Sequence, residues 1–232
     1  MRSWAYSGRR IAALLALLAL AGLILSWIGW TVWTHWAPSR RDYPVQGISV
    51  SAANGEINWH SVRAGEVDFA YIRATSGSNW RDPLFAHNWA EAQGNGLRYG
   101  AEIAFDLCRR ASSQATLFIT TVPRDNAALP PVVRLAFDER CSLRPSRNMV
   151  LAELNTLLNL IEAHSGKPAL LRVSSEFDDE YDIGSGINRT LWLEGNFFPP
   201  DYAARPWVMW TANADRRIRG IEGAVEWDVV AQ

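Results

Sequence analysis

Arg134 is the side chain whose setting demands chemistry. It sits inside Val132–Phe137, a nearly continuous apolar run within Leu129–Glu139, LPPVVRLAFDE. A guanidinium buried there is costly unless an anion meets it. One source of that anion is the chain itself. Asp138 falls on the same strand face as Arg134 and Ala136, since alternate side chains point the same way. The other source is an acidic group on a ligand, gripped by the planar two-pronged fork of the guanidinium. Metal chemistry has less to work with. His35, His60, His87 and His164 are scattered, and Cys108 and Cys141 lack zinc-site spacing, so no metal or other cofactor is expected.

The elements around Arg134 can be read from periodicity. Val132–Phe137, β-branched at its start and preceded by Pro130 and Pro131, has the pattern of a strand buried on both faces in a parallel sheet or barrel. Val67–Gly77 alternates as a strand. Phe85, Trp89 and Ala92 keep helical spacing. Met149–His164 repeats Leu and Ile at three- and four-residue steps, and Gly166 and Pro168 stop that helix. Ala169–Val173 reads as the next strand.

At 232 residues the chain has room for one large domain or a barrel with an appendage. Its net charge of -1 offers no polyelectrolyte partner, so nucleic acid is not expected. Twelve tryptophans suit a core and also suit stacking on sugar rings. Ile11–Trp33 is apolar and uncharged, long enough to cross a bilayer as a helix. Arg2, Arg9 and Arg10 precede it, and Trp27, Trp30, Trp33 and Trp36 crowd its far end. The expected organisation is a cytoplasmic stretch 1–10, a transmembrane signal anchor 11–33, a linker 34–42 and an exported domain 43–232 on the periplasmic or extracellular side. The alternative is a cleaved signal peptide with Ala19-Leu20-Ala21 as its site and a secreted domain. Both readings export the domain, where a disulfide can persist.

Several segments of that domain resemble one family in order. LPPVVRLAF is similar to the LPPVVDLE strand of the family-25 glycoside hydrolases, the lysozyme (muramidase) family that cuts the peptidoglycan glycan. Gly47–Ser51 resembles its GIDVS, and Asn54–Trp59 its QGxIDW. Phe69–Gly77 resembles FAYIKATEG, and Asp82–Ala92 the DPxFxxNWxxA helix. Gly96–Phe105 is similar to GLxxGAYHFF, and Gln114-Ala115 with Phe118 to QAxxF. Trp192, Pro206–Trp210 and Val225–Val229 fall in the places of LWxAxY, WxxWQY and VDxNxF. The resemblance spans Tyr43 to about Val230. It implies an α/β fold, a flattened, TIM-like βα-barrel with its site at the C-terminal strand ends. It also places Cys108 and Cys141 just past two neighbouring strands, implying a bridge across the mouth, with two free thiols as the alternative.

The same resemblance shows what is missing. Ser49, Ser76, Arg134 and Ala136 stand at four of the family's acidic positions. The positions of Arg134 and Ala136 are those of the two central catalytic carboxylates. Hydrolysis needs a proton donor at the leaving oxygen and a group that stabilises or attacks the cationic sugar centre. Ala136 donates nothing, and Arg134 stays charged and repels that cation. The resemblance therefore implies a pseudoenzyme that binds peptidoglycan, a muropeptide or an envelope protein through the old cleft. Arg134, Tyr71, Trp192 and Trp210 are the expected binding residues. One alternative is an active muramidase with relocated carboxylates, drawn from Asp138, Glu102, Glu226 and Asp228, with Asp106 and Glu139 nearby. A second is a structural, partner-binding module in which Glu102, Glu226 or Asp138 simply neutralises Arg134.

Overall fold

A computed structural model describes the backbone of residues 3–231 and side chains from Ala13. Met1 and Arg2, and with them the start of the expected stretch 1–10, lie outside the described residues. The chain divides after Trp36 into two compact units.

The first unit is one helix, α1 (Ser3–His35). Its segment Ala13–His35 is long and apolar enough to cross a membrane by length and composition. The hydroxyls of Thr31 and Thr34 donate to the carbonyls of Trp27 and Trp30, so their polarity is satisfied within the helix. The helix overruns the expected limits 11–33 at both ends, because the first proline in the chain is Pro38.

The second unit holds β1 (Gln46–Val50), a 3-10 turn (Ala52–Asn54), α2 (Trp59–Ala64), β2 (Phe69–Ser76), β3 (Trp80–Arg81), α3 (Phe85–Gly94), β4 (Arg98–Ala104) and α4 (Ala111–Thr121). It continues with β5 (Val132–Leu135), α5 (Arg147–Ser165), β6 (Leu170–Val173), α6 (Ser175–Tyr181), α7 (Ile183–Gly186), β7 (Thr190–Glu194), β8 (Met209–Arg216) and β9 (Val225–Val230). Among the described residues the strands run β1-β9-β8-β7-β6-β5-β4-β2, and β1 pairs with β2 to close an eight-stranded barrel. The short β3 hangs on β2. All pairs are parallel except those of β9 with its two neighbours and of β3 with β2.

The helices lay apolar stripes on the barrel. α5 buries Val150, Leu154, Leu157, Leu158 and Ile161, the three- and four-residue rhythm read in the sequence. Gly166, at φ 71°, ends it in the left-handed conformation that glycine adopts without strain. Inside, β1 and β2 approach so closely that a Cβ on Gly47 would lie 2.4 Å from the Phe69 carbonyl oxygen. That contact requires glycine and brings Ser49 beside Tyr71 in register.

Candidate functional site

Strand alternation decides which side chains enter the barrel. Phe69, Tyr71, Val132, Leu170, Trp192 and Met209 form one buried apolar cluster near the starts of the parallel strands, with Val230 of β9 packed against it. Two residues further along the same face come charges instead: Arg73 on β2, Arg134 on β5, Arg172 on β6 and Glu194 on β7. Glu102 on β4 and Glu226 on β9 join them at the same level. The barrel thus has an apolar plug at its closed end and a layer of three arginines and three glutamates towards its mouth.

The layer is a continuous ion-pair network. Arg73 Nε lies 2.5 Å from Glu102 Oε1, and Glu102 Oε2 lies 3.3 Å from Arg172 Nη1. Arg172 reaches Glu194 at 3.1 Å and Glu226 at 2.9 Å. Arg134 closes the figure, 2.8 Å from Glu194 and 3.0 Å from Glu226. Arg172 is fully buried and also stacks over the Trp192 ring, 4.7 Å from its centroid. Three positive and three negative side chains balance, the condition for holding guanidinium groups inside a protein.

The network sets the protonation of its acids. Burial pushes the Glu226 carboxyl up, but Arg172, Arg134 and Arg73 together drag it down to about 2. Burial likewise works against the Glu102 carboxylate, and Arg73, Arg172 and Arg134 outweigh it, leaving its pKa below the usual carboxylate range. Asp228, one step deeper on β9, behaves oppositely. Burial raises its pKa to about 7 despite Arg172 and the hydroxyls of Ser49 and Thr211, which donate to its two oxygens at 2.8 Å each. It titrates near neutrality, well above its neighbours in the layer, and it is fully buried with both oxygens accepting hydrogen bonds.

The structure places the expected binding and neutralising residues as follows. Tyr71 and Trp192 belong to the apolar plug, 5.3 Å apart by ring centroids, and Trp192 donates to the Thr211 hydroxyl. Their strand positions place them in the apolar cluster at the closed end, where both are buried. Trp210 alternates with the inward Met209 and Thr211, is buried on the other face of β8, and packs edge-on against Tyr43. Of the expected neutralisers of Arg134, Glu226 meets it. Glu102 pairs with Arg73 and Arg172 instead. Asp138 turns to Arg140, whose hydrogen bonds hold its carboxyl down at about 2. The residues not anticipated are Arg73, Arg172 and Glu194. The signal was in the sequence: LLRV of β6 and TLWLE of β7 each carry one charge in an apolar strand, as VVRL of β5 does.

Two cavities open beside Arg73 and Arg134, which line both. One of about 190 Å³ is walled by Ser49, Ser51, Asn54 and Glu226. The other, about 440 Å³, is walled by Ser76, Ala104, Ala136 and Arg140. Cys108 and Cys141 are joined by a disulfide that links the segments following β4 and β5, with Cα atoms 5.8 Å apart. Among the described residues, the cluster Asp106, Cys108 and Cys141 has ligand-like spacing, but both its sulfurs are in that bond.

A closed barrel with this strand order, carrying a charged layer towards the C-terminal ends of its parallel strands, is a specific frame for comparison. The model of glycosyl hydrolases family 25 matches residues 48–221. The chain belongs to glycosyl hydrolase family 25. Among family-25 structures, that of a glycosyl hydrolase from Bacillus anthracis superposes with a TM-score of 0.78 at 28% identity, covering 85% of this chain and 92% of that one. The bacterial lysozyme from Streptomyces coelicolor shares the fold, with a TM-score of 0.71 at 24% identity, over 79% of this chain and 90% of its own. In sequence the chain is similar to Lysozyme M1 of Streptomyces globisporus, 40% identical over 196 residues, which are 78% of this chain and 66% of that protein. It is also 28% identical over 194 residues to the uncharacterized protein YegX of Escherichia coli K12, covering 81% and 70%.

Proposed function

We propose that this chain is a membrane-anchored family-25 domain that binds peptidoglycan without cutting it. The observation that carries the reading is the ion-pair layer. Where the resemblance puts an acid on β5 there is Arg134, clamped by Glu194 and Glu226. A general acid must carry its proton at working pH within reach of the leaving oxygen. Glu226, Glu102 and Asp138 are held ionised by arginines, and Asp228, raised to about 7, is fully buried beneath the layer, out of reach of a sugar.

Binding is favoured over a purely structural role because Arg134 keeps about a fifth of its side chain exposed, 22%, and borders both cavities. The family's activity on peptidoglycan names the ligand class. Helix α1 would serve as the uncleaved anchor, with the barrel on the outer side of the membrane.

The test uses the 232-residue chain in a neutral detergent with purified sacculi. Co-pelleting without loss of turbidity is the expected result. Clearing of sacculi that disappears in Glu102→Gln or Asp138→Asn would establish a hydrolase with relocated acids. Absence of pelleting would leave the partner-binding module.

A further inference from the structure

The ion-pair layer uses only part of its donors. Arg73 engages Glu102 through Nε, and Arg134 engages Glu194 and Glu226 through Nε and Nη1. Among the described residues, these contacts leave both terminal nitrogens of Arg73 and the Nη2 of Arg134 outside the network. Both side chains remain partly exposed, 20% and 22%, and both border the cavity of about 440 Å³. That size suits a ligand pocket. Its wall at Ser76, Ala104 and Ala136 is uncharged, and the remaining cation, Arg140, already neutralises Asp138 on the rim. Glu139 is exposed there and is the carboxylate left to oppose an incoming anion.

From this geometry we infer a carboxylate-binding slot between Arg73 and Arg134, at the position where a cleaving relative would carry its acids. Guanidinium groups bordering a partly desolvated cavity select a planar anion over a neutral sugar. The inference rests on the glycan-binding reading and names what that reading left open: the group recognised is an acid carried on the glycan strand. It has two sources of the same chemistry, the lactyl carboxylate of a bare muramic acid and the terminal carboxylate of a short peptide attached there.

Calorimetry on the full chain in neutral detergent separates the outcomes. The probes are the N-acetylglucosamine–N-acetylmuramic acid disaccharide, its lactyl methyl ester, and the disaccharide carrying a dipeptide with a terminal carboxylate. At least tenfold tighter binding of one acid probe than of the ester is expected, with the stronger acid identifying the source. Arg73→Gln should erase that preference, so that acid and ester probes bind this variant alike. Glu102 keeps its contact with Arg172 in this variant, and its far-ultraviolet circular dichroism and urea midpoint check that the barrel is intact. Equal binding of acids and ester would overturn the slot while leaving glycan binding intact. If no disaccharide binds, the glycan reading fails by itself, and sodium lactate then probes the slot alone. Chemical-shift changes in the arginine Nε–Hε resonances of Arg73 and Arg134 would uphold it, and their absence would end it.

Discussion

Arg134 and Arg172 stand directly opposite each other in register on neighbouring parallel strands. Like charges so placed repel. Two carboxylates resolve the conflict: Glu194 bridges the Nε atoms of both arginines at 2.8 and 3.1 Å, and Glu226 bridges their Nη1 atoms at 3.0 and 2.9 Å. Two arginines side by side on a barrel's inner face must be met by compensating charge, and here the barrel interior supplies it.

Arg172 is the member most dependent on that compensation, being fully buried. Arg172→Met should destabilise the barrel by about 3–5 kcal/mol, because Glu194, Glu226 and Glu102 would then share two arginines in a water-poor interior. Arg140→Ala should leave the urea midpoint unchanged, since Arg140 is 76% exposed and its pairing with Asp138 is screened. Comparing the two midpoints in one detergent checks both.

Stability should fall on both sides of mildly acidic pH, for opposite reasons. Asp228 has a folded pKa of about 7, against about 3.9 in an unfolded chain. Its contribution is therefore complete below about pH 4 and is lost as pH rises towards 7. Glu226, at about 2 when folded and about 4.3 when unfolded, contributes fully above about pH 4.3 and loses that contribution as pH falls towards 2. Asp228→Asn should flatten the limb between about pH 4 and 7 and spare the acid limb. Urea midpoints measured across this range would show it.

The Cys108–Cys141 bridge closes a loop with a sequence separation of 33. A cross-link of that span stabilises by about 2–4 kcal/mol, chiefly through the unfolded chain. The Cys108→Ala, Cys141→Ala double variant should lose that amount in equilibrium denaturation.

Placing an acid at position 136 should not produce clearing of sacculi. In Ala136→Glu the new carboxyl would enter the cavity that Arg73 and Arg134 border, and it would be held ionised there. Turbidity of sacculi should stay constant with this variant. Measurable clearing would show that the arginines do not control protonation at the mouth.

The order of the amino acids already carries the frame. Alternation fixed β2, helical rhythm fixed α5 with its stop at Gly166, and the ordered family segments fixed the barrel and its emptied acidic positions. It also marked Arg134 as a charge that needs a partner. Which partner it finds, and which aromatics face a ligand, were decided only by the tertiary structure. Local pattern gives the face of a strand but not which end of the barrel is plugged, so Tyr71 and Trp192 read as cleft residues and lie in the plug. Neutralisation acts through space, between side chains as far apart in sequence as Arg134 and Glu226, which are separated by 92 positions. Only closure of the barrel brings such charges within 3 Å of each other, and that closure decides whether an acid keeps a proton to give.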